Sequence, residues 1–225
     1  MLKSIKTGVI AAILISSAVV ASAQKKVNEG TITYGVTYDL TADQKSMAAQ
    51  LPPETKFKFS GDILKIEIDQ GPAKITILSD GAKRTGLLLV DIPMIQKQYA
   101  VKTTPEEAEE TMGKVPVLTD VKATGEKLKI GNYNTEKYTY KDDKGVVSEL
   151  WATNDIQLPQ GIIGLEFKDV KGTPVKFSRI MNGVKGTMTI TNLTEEKVGP
   201  LSLAVPPAYE LTTMDALKAL GGGGQ

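Results

Sequence analysis

The sequence predicts a mainly β fold with short helices: a strongly curved antiparallel sheet or half-barrel, covered on its concave face by the helices. Apolar and polar residues alternate with a period of two through most of the chain, which is typical of strands with one buried face. Tight-turn residues separate these stretches, so successive strands run antiparallel. Roughly nine to eleven such strands form a sheet that must curl or close, and short helices are natural covers for its open face.

The clearest element is a hairpin at residues 133–153, around which we expect the core. Its first strand, residues 133–140, alternates aromatic and polar side chains, and its return strand, residues 146–153, carries Trp151, the single tryptophan of the chain. The turn between them reads Lys-Asp-Asp-Lys-Gly. An Asp/Gly turn between alternating strands is a strong hairpin signal.

Alternation predicts further strands along the rest of the chain. They lie at residues 30–40, 55–59, 64–68, 75–77, 87–90, 96–102, 174–181 and 187–193. Asn182-Gly183 joins the last two as a hairpin turn.

Three short helices are predicted from their capping residues. Thr41 precedes residues 42–51, Thr104 precedes a Pro-Glu-Glu start, and Thr213 precedes residues 214–220. Threonine at such a position accepts hydrogen bonds from free backbone N–H groups, and acids in the first turn favour the helix dipole. We expect residues 221–225 to form a disordered tail.

Residues 1–23 have the pattern of a signal peptide. A basic start is followed by an apolar run at residues 8–20 and the small-residue cleavage site Ala21-Ser22-Ala23. The run is shorter than the roughly 20 residues of a transmembrane helix, although a retained N-terminal anchor is the alternative. We therefore expect export to the periplasm or secretion, and a single domain at residues 24–225.

The charge balance argues against two classes of partner. The chain has a formal net charge of +1, and loss of Lys3 and Lys6 with the signal peptide brings it to −1. Neither a basic stripe for nucleic acid nor a polybasic cluster for anionic lipid is present. After residue 23 the longest aliphatic run is residues 87–90, so no transmembrane segment is expected in the mature chain.

The chain contains no cysteine and no histidine. This excludes Ser-His-Asp triads, cysteine nucleophiles, haem and Fe–S ligation and ordinary zinc sites. Phosphate-binding glycine loops are also absent from the sequence. We therefore expect no cofactor and no enzyme activity.

Carboxylates remain as a possible source of chemistry, because glycoside hydrolysis needs two of them. Asp142 and Asp143 fall in the hairpin turn, which explains them without a catalytic or calcium role. Glu149 shares a strand face with Trp151 and is the more interesting acid. A cross-strand ion pair with a lysine is the simpler interpretation, while Arg84 and Arg179, the two arginines, are other candidates for its partner or for a ligand contact.

The apolar composition suggests a binding role. The chain has seven methionines against four phenylalanines and one tryptophan. Methionine adapts to irregular apolar ligands, although it also fills ordinary cores. The candidate ligand-binding residues are Trp151, Glu149, Met181 and Met188.

Three segments resemble an uncharacterised family of exported bacterial proteins, a domain of unknown function. They are residues 125–138 (GEKLKIGNYNTEKY), 149–156 (ELWATNDI) and 207–209 (PAY). The family is similar in architecture to periplasmic carriers of outer-membrane lipoproteins. That resemblance implies an open half-barrel with helices over an apolar cavity, and it supplies no catalytic residues.

The expected function is a non-enzymatic binding or carrier protein of the cell envelope, with a lipid or other apolar ligand. A cavity too small for an acyl chain, or the absence of a co-purifying lipid, would contradict it. The alternative is an envelope adaptor that binds another protein, for example through an uncharged sheet edge. An acid-based hydrolase is the third hypothesis.

Overall fold

The computed structural model describes residues 24–69, 71–112, 114–181 and 183–221. The predicted signal peptide and residues 222–225 of the predicted tail lie outside these ranges, so both remain predictions. No helix within the described ranges combines the length and the apolar character needed to cross a membrane.

The described residues form fourteen strands and three α-helices. The strands are β1 (Lys25–Lys26), β2 (Glu29–Asp39), β3 (Glu54–Ser60), β4 (Ile63–Asp69), β5 (Lys74–Asp80), β6 (Thr85–Ile92), β7 (Lys97–Thr103), β8 (Thr119–Ile130), β9 (Tyr133–Lys141), β10 (Val147–Thr153), β11 (Ile156–Gln157), β12 (Thr173–Met181), β13 (Val184–Glu195) and β14 (Glu210–Thr212). The helices are α1 (Pro105–Met112), α2 (Gln160–Ile163) and α3 (Met214–Gly221), with 3₁₀ helices at Ala42–Gln50, Pro93–Ile95 and Leu165–Phe167.

Twelve strands form one large sheet in the order β14-β7-β6-β5-β4-β3-β2-β13-β12-β10-β9-β8. Neighbouring strands are antiparallel, except that β14 runs parallel to β7. The remaining two, β1 and β11, pair in parallel as a separate small sheet. The large sheet is open, since β14 and β8 are its two edges. The predicted mainly β, antiparallel class is therefore confirmed.

The edge strand β8 was not among the predicted strands. Its side chains are almost all exposed, so they lack the alternation that marks a half-buried strand. Its pairing with β9 is also interrupted twice, between Thr119 and Lys122 and between Ala123 and Lys127. Bulges and charged side chains are typical devices that keep a sheet edge from pairing with another chain.

The sheet has two faces, which we name after one residue on each. Tyr34 of β2 lies on the same face as Phe57, Leu64 and Ile77, because paired residues in this ladder project to one side. We call it the Tyr34 face. Alternate residues, including Leu78 of β5, project to the opposite Leu78 face.

The larger core lies on the Tyr34 face. Its strands β2, β3, β9, β10, β12 and β13 contribute Ile32, Tyr34, Phe59, Tyr138, Leu150, Val175, Phe177 and Met188, all at most 6% exposed. The covering residues come from the segment between β10 and β12: Ile156, Leu158, Phe167 and Val170 are buried against these strands. We call residues 156–170 the strap.

A smaller core lies on the Leu78 face, near the β14 edge. Leu78, Leu87 and Ala100 are buried there, from β5, β6 and β7. Residues Leu201, Leu203, Val205 and Tyr209, which precede β14, pack over them. On the Tyr34 face of the same end, Val90, Tyr99 and Val101 are also buried, so this end of the sheet is covered on both faces.

The helices predicted from capping signals form, but they bury little. Thr104 caps α1 through reciprocal hydrogen bonds with Glu107, and Thr213 accepts a hydrogen bond at the start of α3. The 3₁₀ helix Ala42–Gln50 replaces the expected apolar-faced helix, and Met47 is 39% exposed. The strap, and not these helices, covers the larger core.

Candidate ligand-binding site

An aromatic cluster occupies the centre of the Tyr34 face. Tyr34 contacts Phe57 and Phe177 edge-to-face, with ring centroids 6.0 and 5.8 Å apart. Phe167 of the strap meets Phe177 in the same way at 5.0 Å. Edge-to-face pairs of this kind contribute specific geometry as well as burial. Burial raises the pKa of the Tyr34 hydroxyl, and the positive charge of Arg179 partly offsets this shift.

Several contacts attach the strap to the rest of the described chain. Near its start, the Thr173 hydroxyl donates to the Ile156 carbonyl at 3.0 Å, and β11 pairs with β1. Further along, the Gly161 N–H donates to the Asp62 carboxylate at 2.7 Å. A Cβ atom on Gly161 would lie 2.6 Å from the Asp62 carbonyl oxygen, so this close approach requires glycine.

An ion pair joins the strap to the sheet beside the aromatic cluster. The Arg179 guanidinium of β12 donates to the Glu166 carboxylate of the strap. Arg179 also lies over the Phe177 ring, 5.6 Å from its centroid, a cation–π arrangement. Gly164 has a φ of 98°, and a Cβ atom there would meet the Arg179 and Glu166 side chains at 2.8 and 2.5 Å. The backbone therefore closes tightly over this pair.

A pocket lies between the strap and the aromatic cluster. Its volume is about 120 Å³, and it is lined by Ile32, Tyr34, Phe57, Leu64, Ile162, Ile163, Phe177, Arg179 and Met188. Seven of these nine side chains are apolar without a polar group, and Arg179 supplies the positive charge. The volume is below the roughly 300 Å³ at which small-molecule pockets begin. A whole acyl chain does not fit inside it in this conformation.

Beyond the pocket, the Tyr34 face continues as a half-buried aliphatic surface. Cross-strand pairing aligns Ile66, Ile77 and Leu88 in one row and Ile68, Ile75 and Val90 in the next. We call these six residues the aliphatic patch. Neither of the two core clusters of the described chain includes them. Ile68 is 37% exposed, Val90 is buried at 8% exposure, and the other four are half-buried. Because Leu64 of the pocket precedes Ile66 on the same strand face, pocket and patch form one apolar surface.

The predicted candidates Trp151 and Glu149 lie on the opposite, Leu78 face. Glu149 forms an ion pair with Lys137 at 2.6 Å, which is the cross-strand lysine partner favoured above. Lys137 also lies 5.8 Å from the centroid of the Trp151 ring, and Trp151 is only 8% exposed. The structure therefore separates these two residues from the apolar pocket.

Met188 is the predicted candidate that the structure brings into the pocket, where it is 5% exposed. The side chain of Met181 lies outside the described part of the molecule. Asp142 is a turn residue, because its carboxylate accepts hydrogen bonds from the Lys144 and Val146 N–H groups at 2.9 and 2.8 Å. Within the described residues, no cluster of three or more acidic side chains could hold a metal ion.

The Lys137–Glu149 pair makes a testable pH prediction. The hydrogen bond from Lys137 to Glu149 holds the pKa of Lys137 above its usual range. In the unfolded chain a lysine has a pKa of about 10.4, and a higher pKa in the folded state stabilises the fold at pH values below this. That stabilisation is lost as the pH rises through the pKa of the folded state. Glu149→Gln should therefore lower the pKa of Lys137, as measured by NMR titration of its side chain. Asp120→Asn is the matched control, since Asp120 raises the pKa of Lys141 instead.

A larger recess lies near the turn of the β8–β9 hairpin. Its volume is about 380 Å³, and it is lined by Lys127, Leu128, Lys129, Asn134, Thr135, Glu136, Ala152, Asn154 and Asp155. The Asp155 carboxylate already accepts two hydrogen bonds from Asn134, at 2.7 and 3.2 Å. Charges of both signs line this recess, so the apolar pocket is the stronger candidate site for an apolar ligand.

Comparison with known proteins adds little. No protein-family model and no curated protein matches the chain. The solved structure titled "Structure of PNGF-II in C2 space group" aligns with 86% of this chain at 15% identity and a TM-score of 0.35. This chain spans 32% of that protein's length. The resemblance to exported bacterial proteins stays a prediction.

Proposed function

We propose that this is a non-enzymatic binding protein of the cell envelope, whose ligand is a lipid or another apolar molecule held on the Tyr34 face. The aliphatic patch is the observation that carries the proposal. Ile66, Ile75, Ile77 and Leu88, on three adjacent strands, lie half-buried beside an aromatic pocket. Ile68 at one border of the patch is 37% exposed, and Val90 at the other is buried. Covering such a surface stabilises a complex by roughly 25 cal/mol for each Å² of apolar area.

The proposal includes a half-barrel shape for the sheet. In a flat sheet, β7 and β8 would lie ten strand spacings apart, or about 48 Å. The connection from Thr103 to Thr119 contains α1 and can span at most about 43 Å. Curvature of the sheet brings its two ends within reach. A curved Tyr34 face also lets the strap contact β4 and β12 at the same time, as the lining of the pocket requires.

The size of the pocket limits how a ligand binds. Because the pocket holds about 120 Å³, it can take one end of an apolar ligand, and the rest lies along the aliphatic patch. This replaces the expectation of an acyl chain enclosed in a cavity.

The sheet edges do not favour the adaptor hypothesis. An adaptor that binds by strand addition needs a flat, uncharged edge. The β8 edge carries Asp120, Lys122, Glu126, Lys127 and Lys129 along its length. The β14 edge is three residues long. We therefore propose the apolar-ligand function alone.

Native mass spectrometry of residues 24–225, purified from the envelope without detergent, tests the proposal. We expect a mass increment that disappears after organic extraction. Ile77→Lys should reduce the bound fraction by about tenfold, because it places a charge in the centre of the patch. Val147→Lys is the matched control, as Val147 is 66% exposed on the Leu78 face. A wild-type protein without any bound mass would contradict the proposal.

A further inference from the structure

We infer that the ligand is a single-chain amphiphile with a carboxylate head group, such as a long-chain fatty acid, and that Arg179 binds the carboxylate. This inference rests on the proposed function, and it names the ligand class for the same site. The carboxylate would take the place that Glu166 now occupies, while the hydrocarbon chain lies across the pocket and the aliphatic patch.

The choice of arginine at this position supports an anionic head group. The chain contains two arginines among 27 basic residues, and one of them lines the apolar pocket. Arginine pairs with carboxylates through a planar fork and stacks its flat guanidinium on aromatic rings, whereas the lysine ammonium is a compact point charge. Arg179 lies over the Phe177 ring, so its guanidinium is oriented by the aromatic cluster.

The present partner of Arg179 shows which chemistry the site accepts. Glu166 brings a carboxylate to the guanidinium from the strap. Its side chain is 15% exposed, compared with 41% for Arg179, so the carboxylate sits at the covered side of the pair. A ligand carboxylate has the same shape and charge as the Glu166 side chain. It can therefore replace Glu166 without any change in the sheet.

The apolar lining provides a continuous path for the chain of the ligand. From Arg179 on β12, the lining passes Phe177, Tyr34 and Phe57 to Leu64 on β4. Ile66 and Ile77 of the patch come next on the same face. Four strand spacings separate β12 from β4, which is about 19 Å along a flat sheet. A long extended hydrocarbon chain with its head at Arg179 follows this path as far as the β4 border of the patch.

Isothermal titration calorimetry with myristate and methyl myristate, both below their aggregation concentrations, tests the inference. Arg179→Met should weaken myristate binding by about tenfold or more, because it removes a charge-assisted hydrogen bond. Binding of the neutral ester should change little. Glu166→Gln should tighten myristate binding several-fold, since the guanidinium loses its competing partner. Lys176→Met, on the same strand but the opposite face, is the matched control.

Each alternative result has a defined meaning. If Arg179→Met weakens the binding of the acid and the ester equally, the Arg179–Glu166 ion pair only holds the strap on the sheet. Weaker myristate binding by Glu166→Gln would lead to the same conclusion. Tighter binding of myristyl phosphate than of myristate by about tenfold would assign the site to phosphate head groups instead. Failure of both the acid and the ester to bind the wild type would overturn the proposed function itself. Arg179→Lys, which keeps the charge, covers the case in which Arg179→Met does not fold.

Discussion

Replacing Gly161 with alanine is expected to destabilise the protein by about 2–3 kcal/mol, a typical cost of forcing extra atoms into a packed site. The added Cβ would lie 2.6 and 2.7 Å from the Asp62 carbonyl oxygen and Cβ. It would also push the strap away from the Asp62 carboxylate, which accepts the Gly161 N–H. Urea unfolding measures the loss, and increased binding of a hydrophobic dye should report the exposed aromatic cluster.

Gly86→Ala is the control for this substitution. A Cβ atom on Gly86 meets its nearest neighbour at 3.4 Å, which is ordinary van der Waals contact. Both glycines lie outside the left-handed region, so the comparison isolates steric contact from backbone strain. Equal stability changes for Gly161→Ala and Gly86→Ala would mean that the strap does not pack against the β3–β4 turn as described.

The second large effect is expected from Phe59→Ala. Phe59 of β3 is fully buried in the larger core, at 0% exposure. Truncation of a buried phenylalanine to alanine costs about 3–5 kcal/mol, since both transfer free energy and packing are lost. Chemical denaturation monitored by Trp151 fluorescence measures the change, because Trp151 lies on the other face and keeps its own surroundings.

Met94→Ala is the matched control for Phe59→Ala. Met94 is 82% exposed in the turn between β6 and β7, and surface substitutions usually change stability by less than about 0.5 kcal/mol. A loss below about 1 kcal/mol for Phe59→Ala would contradict the placement of β3 in the core.

The hairpin and most central strands were predictable, because one of their faces is buried and the other is not. Residues 133–153 form β9 and β10 as an antiparallel hairpin, as predicted, with Tyr138 opposite Leu150. Asp142 makes the turn that its position predicted. In such strands, the period of two is a direct consequence of burial on one side.

The strap could not be predicted in the same way. Its α2 and 3₁₀ turns are too short to show a periodic pattern. Its position depends on contacts with residues about a hundred positions away, as in the Gly161–Asp62 hydrogen bond. Gly161 and Gly164 were a usable signal, because isolated glycines beside apolar residues often mark close backbone approach.

Similar local sequence also takes two forms in this chain. Ser60-Gly61-Asp62 and Thr124-Gly125-Glu126 begin similar segments, 64 positions apart. Gly61 lies in the turn between β3 and β4, whereas Gly125 lies within β8, where the pairing with β9 is interrupted. Both have positive φ values, 57° and 80°. The positive φ of both glycines was therefore predictable. Whether each glycine lies in a turn or within a strand depends on the strand that pairs with it.

The pairing of β2 with β13 has a consequence for how fast the native state can form. These strands meet at the middle of the sheet, and the Thr191 hydroxyl reaches the Thr33 carbonyl across 158 positions of sequence. Contacts between such distant residues slow folding, because the chain loses loop entropy before it gains them. During synthesis, the two halves of the sheet cannot join until β13 has emerged. Nascent chains therefore lack the partner strand that covers Ile32 and Tyr34 throughout this interval, and exposed apolar surface of this kind favours aggregation.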